Sequence, residues 1–131
     1  MEFLKVILDT CSLLWWWSSP ENLTPRALNI IQDPGTTVYV SVASAWEVAT
    51  KSRIGKLPKG ERIMNEWTHR IAVDSFHEID ITTMHAFRAG TFRDPHRDPF
   101  DRMIAAQGIL EQLPVVTPDE RIEALGAQRI W

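Results

Sequence analysis

Asp9, Glu47, Asp98, Asp101 and Asp119 are the side chains of this sequence with the most chemistry to offer one another. Asp9 follows the apolar run Val6-Ile7-Leu8, and Thr117 and Asp119 follow Val115-Val116. In an open parallel sheet, ligands sit at the carboxyl edge of the strands. Glu47 falls in the second turn of a helix leaving the run at 37–41, and Asp98 and Asp101 open another helix that must start near the same edge. Carboxylates gathered on one rim repel one another unless they are protonated or neutralised. A hard divalent cation removes the conflict, and Mg2+ prefers a few carboxylates while leaving room for waters and phosphate oxygens. An ion so held lowers the pKa of water and stabilises charge on phosphoryl oxygens, which is the chemistry of phosphodiester hydrolysis.

Each acid also has an ordinary structural reading. Asp98 fits an N-cap with Pro99 at the first helical position and Asp101 at the third. Ser44 and Glu47 have capping-box spacing, and Glu47 lies one turn before Lys51. Thr117-Pro118-Asp119-Glu120 reads as a further cap, and Asp9 as a strand-ending turn. Taken together the ordinary readings weaken. Asp101 shares its helical row with Ala105 and Gly108, beside Ile104. That is a sheet-facing stripe and a costly place for an unpaired carboxylate. Lys51, Arg53, Lys56, Lys59 and Arg62 flank the acids on one side, and Arg88, Arg93, Arg97 and Arg102 on the other. Such a rim would hold flanking phosphates. His69, His77, His85 and His96 are dispersed without zinc spacing. His96 stands out for its neighbours Arg93, Arg97 and Asp98.

The elements that must position these residues follow from the apolar pattern. Strands are predicted over 6–8, 37–41, 76–79, 115–117 and 128–131. Helices are predicted over 13–17, from Thr24 as N-cap with Pro25 behind it, and over 42–54, 60–73, 81–92, 98–110 and 118–125. Strands alternating with helices indicate a three-layer α/β/α sandwich with a mainly parallel central sheet. A chain of 131 residues is expected to form one domain over residues 1–131. The ordinary 24% of charged residues excludes a disordered chain. A net charge of −3 argues against coating nucleic acid by charge alone. With Cys11 as the sole cysteine, there is neither an internal disulfide nor a paired-thiolate zinc site. The start Met1-Glu2-Phe3-Leu4-Lys5 carries no leader pattern, and no apolar run nears the roughly 20 residues of a membrane span. A cytoplasmic location is expected.

The motifs resemble those of a known family. Leu8-Asp9-Thr10-Cys11-Ser12-Leu13-Leu14-Trp15-Trp16 resembles the first acidic motif of PIN-domain toxins of the VapC type. Ser44-Ala45-Trp46-Glu47-Val48-Ala49, with Lys51 and Gly55-Lys56-Leu57, is similar to their second. His96-Arg97-Asp98-Pro99-Phe100-Asp101-Arg102-Met103-Ile104-Ala105-Ala106-Gln107 resembles the third, the most specific of the set. Val115-Val116-Thr117-Pro118-Asp119, with the Ile130-Trp131 ending, resembles the fourth. The resemblance implies a PIN-like fold, an Mg2+- or Mn2+-dependent endoribonuclease, and the toxin role in a type II toxin–antitoxin pair. It implies Asp9, Glu47, Asp101 and Asp119 as catalytic metal-binding carboxylates, with Asp98 and Thr117 in support. Lys51, Arg97 and Arg102 are the expected RNA-binding cations. A VapB-type antitoxin and a second copy of the chain are the implied partners, and no membrane is. Cys11 departs from the histidine common at its position.

Trp15, Trp16 and Trp17 cannot all face one core, because successive helical residues point about 100° apart. One of them is expected at the surface, as an apolar anchor for a partner. Two rivals remain. A phosphoacceptor receiver domain would need an aspartate after its third strand and a lysine after its fifth, where this sequence offers Asp80 and the terminal Trp131. A catalytically silent PIN fold would gain nothing from the repulsion among its acids.

Overall fold

Side-chain alternation within the strands decides the layers. In the computed structural model, which describes residues 4–131, β1 (Lys5–Leu8) sends Val6 and Leu8 into one apolar cluster and Ile7 into another. Successive strand side chains face opposite sides of a sheet. β2 (Thr37–Ser41) divides Val38 and Val40 from Tyr39 in the same way, and β4 (Val115–Val116) divides Val116 from Val115. β3 (His77–Ile79) and β5 (Arg129–Ile130) complete a five-stranded sheet of order β3-β2-β1-β4-β5 with every pairing parallel. Val6 stands opposite Val38, and Leu8 opposite both Val40 and Val116.

Seven α-helices occur among the described residues: α1 (Thr10–Ser18), α2 (Pro25–Gln32), α3 (Val42–Arg53), α4 (Gly60–Val73), α5 (Thr83–Thr91), α6 (Pro99–Leu110) and α7 (Glu120–Ala124). The first cluster is closed by Leu13 of α1, Ala27 and Ile31 of α2, Val48 of α3, and Ile63, Trp67 and Ile71 of α4. The second is closed by Ile104 and Ala105 of α6 and Ile122 of α7, with α5 laid against α6. The fold is therefore the expected three-layer α/β/α sandwich, with its central sheet wholly parallel. Gly108 lets α6 come down on the sheet, since a Cβ there would stand 2.9 Å from both the Leu113 carbonyl oxygen and Val115 Cγ2.

Several helix starts follow the sequence closely. Thr24 caps α2 by accepting from Ala27 N at 3.1 Å, with Pro25 at the first position. Others are corrected. Asp9 accepts from Ser12 N and so starts α1 at Thr10, three residues before the expected 13. The last helix begins at Glu120 rather than 118, because Asp119 is its cap. The cap of α3 is Ser41, since β2 runs directly into the helix, and the Ser44–Glu47 capping box does not form. Ser44 is instead buried one turn in, accepting from Thr10 Oγ1 at 2.9 Å.

None of the three consecutive tryptophans is fully exposed. Trp15 packs on Trp131, Trp16 on Phe76 and Trp17 edge-on against Trp67, while the indole N–H groups of Trp16 and Trp17 both donate to Asp74 Oδ2. The exposed tryptophan is Trp46, 56% accessible on α3. The receiver alternative fails on topology: that fold orders its strands 2-1-3-4-5 with the third inside the sheet, whereas β3 is here an edge. No helix among the described residues is long and apolar enough to cross a membrane. The reading of residues 1–3 as free of a leader lies outside the described residues.

Candidate metal centre

The order β3-β2-β1-β4-β5 puts a switch point between β1 and β4, where the chain departs in opposite directions and a crevice opens beyond the strand ends. Asp9 and Thr117 are the first residues past those two strands. Asp9 is 4% exposed, and both its oxygens are engaged: Oδ1 accepts from Ser12 N at 2.8 Å and Oδ2 from Thr117 Oγ1 at 2.6 Å. Ser12 Oγ donates to the Val116 carbonyl at 2.9 Å, which ties α1 to β4. Burial outweighs these hydrogen bonds and, helped by the charge of Glu47, raises the Asp9 pKa above the ordinary carboxylate value.

Glu47 arrives from α3, 5% exposed. Its Oε2 holds the Lys51 ammonium one turn on, and its Oε1 is buried without a hydrogen-bond partner. Burial opposes the charge of Lys51, yet the hydrogen bond to Glu47 and the negative charges of Glu47, Asp98 and Asp101 raise its pKa overall.

Asp98 and Asp101 come from the start of α6. Asp98 Oδ1 accepts from Phe100 N at 2.9 Å and Asp101 N at 3.2 Å, so its first task is capping the helix. Asp101 Oδ2 lies 3.0 Å from His96 Nε2. Burial pushes the Asp101 pKa up to about 6, and the charges of Asp98, Asp9 and Glu47 add to the effect. Asp119 caps α7, and its backbone N–H donates to Thr117 Oγ1 at 3.0 Å. Thr117 thus joins Asp119 to Asp9. Burial acts to raise the Asp119 pKa, but the hydrogen bonds and charge of Arg121 together outweigh it and hold that carboxyl below its usual range. One ligand atom each from His96, Asp101 and Asp119 lie within 4.8 Å of one another.

The structure thus brings Asp9, Glu47 and Asp101 within electrostatic reach of one another, with Asp119 joined through Thr117 and His96. Cys11 is half-buried nearby, and burial with the charges of Asp9 and Glu47 pushes its thiol pKa up to about 12. A thiol so raised carries little thiolate at neutral pH. The fit to a divalent ion rests on the donor set. Asp101 and Asp119 bring carboxylate oxygens to one point beside His96, Asp9 and Glu47 lie outside that close group, and Glu47 Oε1 has a desolvation cost that no protein donor offsets.

Arg97 is exposed on a cleft shared with Asp94, Pro95, His96, Asp98 and Arg121. Arg102, expected among the RNA-binding cations, has another role. Its guanidinium donates to the carbonyls of Ala89, Phe92, Asp94 and His96 at 2.7–3.0 Å. Four of its five N–H donors are taken by the 89–96 backbone, which leaves little for a phosphate. Sequence reasoning singled out His96 only for its charged neighbours and missed its contact with Asp101. The available signal was its position one turn before a Pro-started helix, where the chain must fold back over the helix's first residues.

The PIN domain family model matches residues 6–128. The chain belongs to the PIN domain family. Its fold is similar to that of VapBC2 from Rickettsia felis, solved bound to a DNA fragment from its promoter, with a TM-score of 0.69 and 15% identity over 97% of this chain and 98% of that one. It is also similar to VapBC-1 from nontypeable Haemophilus influenzae (TM-score 0.64, 13% identity, 97% of each chain). FitAcB from Neisseria gonorrhoeae gives a TM-score of 0.64 with 19% identity over 96% of each chain. No curated protein matches the sequence significantly.

Proposed function

We propose that this chain is a divalent-metal-dependent endoribonuclease acting as the toxin of a type II toxin–antitoxin pair, with residues 1–131 forming one catalytic unit in the cytoplasm. The observation that carries the reading is Glu47 Oε1, a buried carboxylate oxygen without a donor beside Asp9 and Asp101. A scaffold that only bound a partner would be more stable without it. Asp9, Glu47, Asp101 and Asp119 hold the ion, Mg2+ or Mn2+. When bound, it supplies the charge stabilisation and the activated water that phosphodiester hydrolysis needs.

The chain's own residues do the rest. Thr117 and Ser12 fix the Asp9 carboxylate, and the capping bonds of Asp98 fix the start of α6 and hence Asp101. Lys51 and Arg97 remain as contacts for flanking phosphates. One of the solved neighbours is a toxin–antitoxin complex from Klebsiella pneumoniae, which supports a VapB-type antitoxin as partner. Trp46 on α3 and Met84 and Phe87 on α5, all more than half exposed, offer apolar anchors to that antitoxin or to a second copy of the chain.

The test is RNA cleavage by purified protein with Mg2+, with and without a chelator. Asp9→Asn and Asp101→Asn should each reduce cleavage to background while the circular dichroism spectrum stays unchanged. Full activity in either variant would overturn the assignment.

A further inference from the structure

The reading above gives the ion to carboxylates alone. We propose that His96 is a ligand as well: its imidazole supplies a ring nitrogen to the ion shared with Asp101 and Asp119, giving a mixed nitrogen–oxygen site that prefers Mn2+ to Mg2+. This rests on the metal-dependent reading of the site and adds to it a donor and a metal preference.

Three observations on the 94–101 segment and α7 carry it. First, spacing. Donors about 2.1 Å from one octahedral ion lie about 3 Å apart when adjacent and about 4.2 Å apart when opposite. His96 Nε2 and Asp101 Oδ2 stand 3.0 Å apart, and the full triad with Asp119 falls within 4.8 Å, so a movement of tenths of an ångström closes it. Second, preorganisation. The His96 side chain is 5% exposed, its backbone N–H donates to Asp94 Oδ1 at 2.9 Å and its carbonyl accepts from Arg102 at 2.9 Å. The ring is therefore desolvated, and the backbone that carries it is anchored on both sides, which holds the imidazole beside Asp101. Third, the competitors yield. Arg121, which holds Asp119, is 69% exposed, and an exposed ion pair of this kind gives way at little cost. Asp94 and Asp98, the other acids on this segment, each have Oδ1 committed to backbone amides, and it is the imidazole that stands beside Asp101. Imidazole nitrogen suits first-row transition ions far better than Mg2+, which seeks hard oxygen.

The experiment loads the full chain with Mn2+ and records pulsed electron paramagnetic resonance, alongside calorimetric titration with Mn2+ and with Mg2+. The expected result is a nitrogen coupling to Mn2+ that changes on 15N-histidine labelling and is lost in His96→Asn. That variant should bind Mn2+ at least about tenfold more weakly, with a smaller change for Mg2+, so that the Mn2+ preference falls. Mn2+ binding without a histidine nitrogen coupling would overturn the proposal and leave the carboxylate site standing, with His96 merely orienting Asp101. Failure of the unmutated chain to bind either ion would overturn both readings together. Should His96→Asn misfold, the isotope shift in the unmutated chain decides the matter alone.

Discussion

Thr117 illustrates how much of the site rests on one hydroxyl. Its Oγ1 donates to Asp9 Oδ2 at 2.6 Å and accepts from Asp119 N at 3.0 Å, with no exposed surface of its own. Replacing it with valine keeps the shape and removes both bonds, leaving a buried carboxylate and a backbone amide short of partners. Thr117→Val should destabilise the protein by about 1–3 kcal/mol, read from urea denaturation. It should also weaken cleavage without abolishing it, because the hydroxyl orients an acid and is not one. An unchanged midpoint would mean that water replaces the hydroxyl without loss. The nearby Lys51–Glu47 pair satisfies one carboxylate oxygen and leaves Oε1 without a partner.

At the scale of elements, α6 carries most of the burden. It packs on the sheet through Ile104, Ala105 and the close approach at Gly108, and at its first turn it presents Asp98 and Asp101 to the crevice. The segment ahead of it is held by Arg102, whose fork reaches four carbonyls between Ala89 and His96. A lysine keeps the charge and lacks the planar fork. Arg102→Lys should therefore cost about 2 kcal/mol or more and speed amide hydrogen exchange over residues 92–98. RNA affinity measured on a catalytically dead background should change little. A selective loss of RNA affinity with normal exchange would return Arg102 to the phosphate-binding set.

For the whole molecule, the crowded acids tie stability to pH and to metal. Burial and neighbouring charge raise the Asp101 pKa from the ordinary 3.8 to about 6, and Asp9 moves in the same direction. A carboxyl with a raised folded-state pKa binds its proton more tightly when folded. Its contribution is then fully present below the unfolded value near 3.8 and is lost as pH climbs through about 6. The lowered pKa values of Asp119 and Glu66 act oppositely, and their contributions fade only as pH falls below the ordinary carboxylate range. Metal-free protein should thus gain thermal stability as pH is lowered from 7 to 5. A saturating divalent ion, which replaces the missing proton, should raise Tm more at pH 7 than at pH 5. Differential scanning calorimetry at both pH values, with and without Mn2+, checks this. An equal shift at both would show that the ion does not relieve the repulsion.

Much of this was legible in the residues themselves. Val6-Ile7-Leu8 and 37–41 declare strands through runs of apolar and β-branched residues, and Thr24-Pro25 and Asp98-Pro99 declare helix starts through cap chemistry, because both signals act within a few residues along the chain. The four candidate acids were picked out the same way, as residues just past strand ends or in the first two turns of a helix. The one-residue-to-many relations were not legible. Asp9 meets a hydroxyl 108 positions away, Ser44 meets Thr10 rather than capping its own helix, and Arg102 turns from the crevice to the backbone. Local pattern pointed to which acids lie near the strand ends. Only the packed tertiary structure decided which of them are satisfied by the protein and which, like Glu47 Oε1, are left without a donor, since that depends on distances between segments that local propensity does not encode.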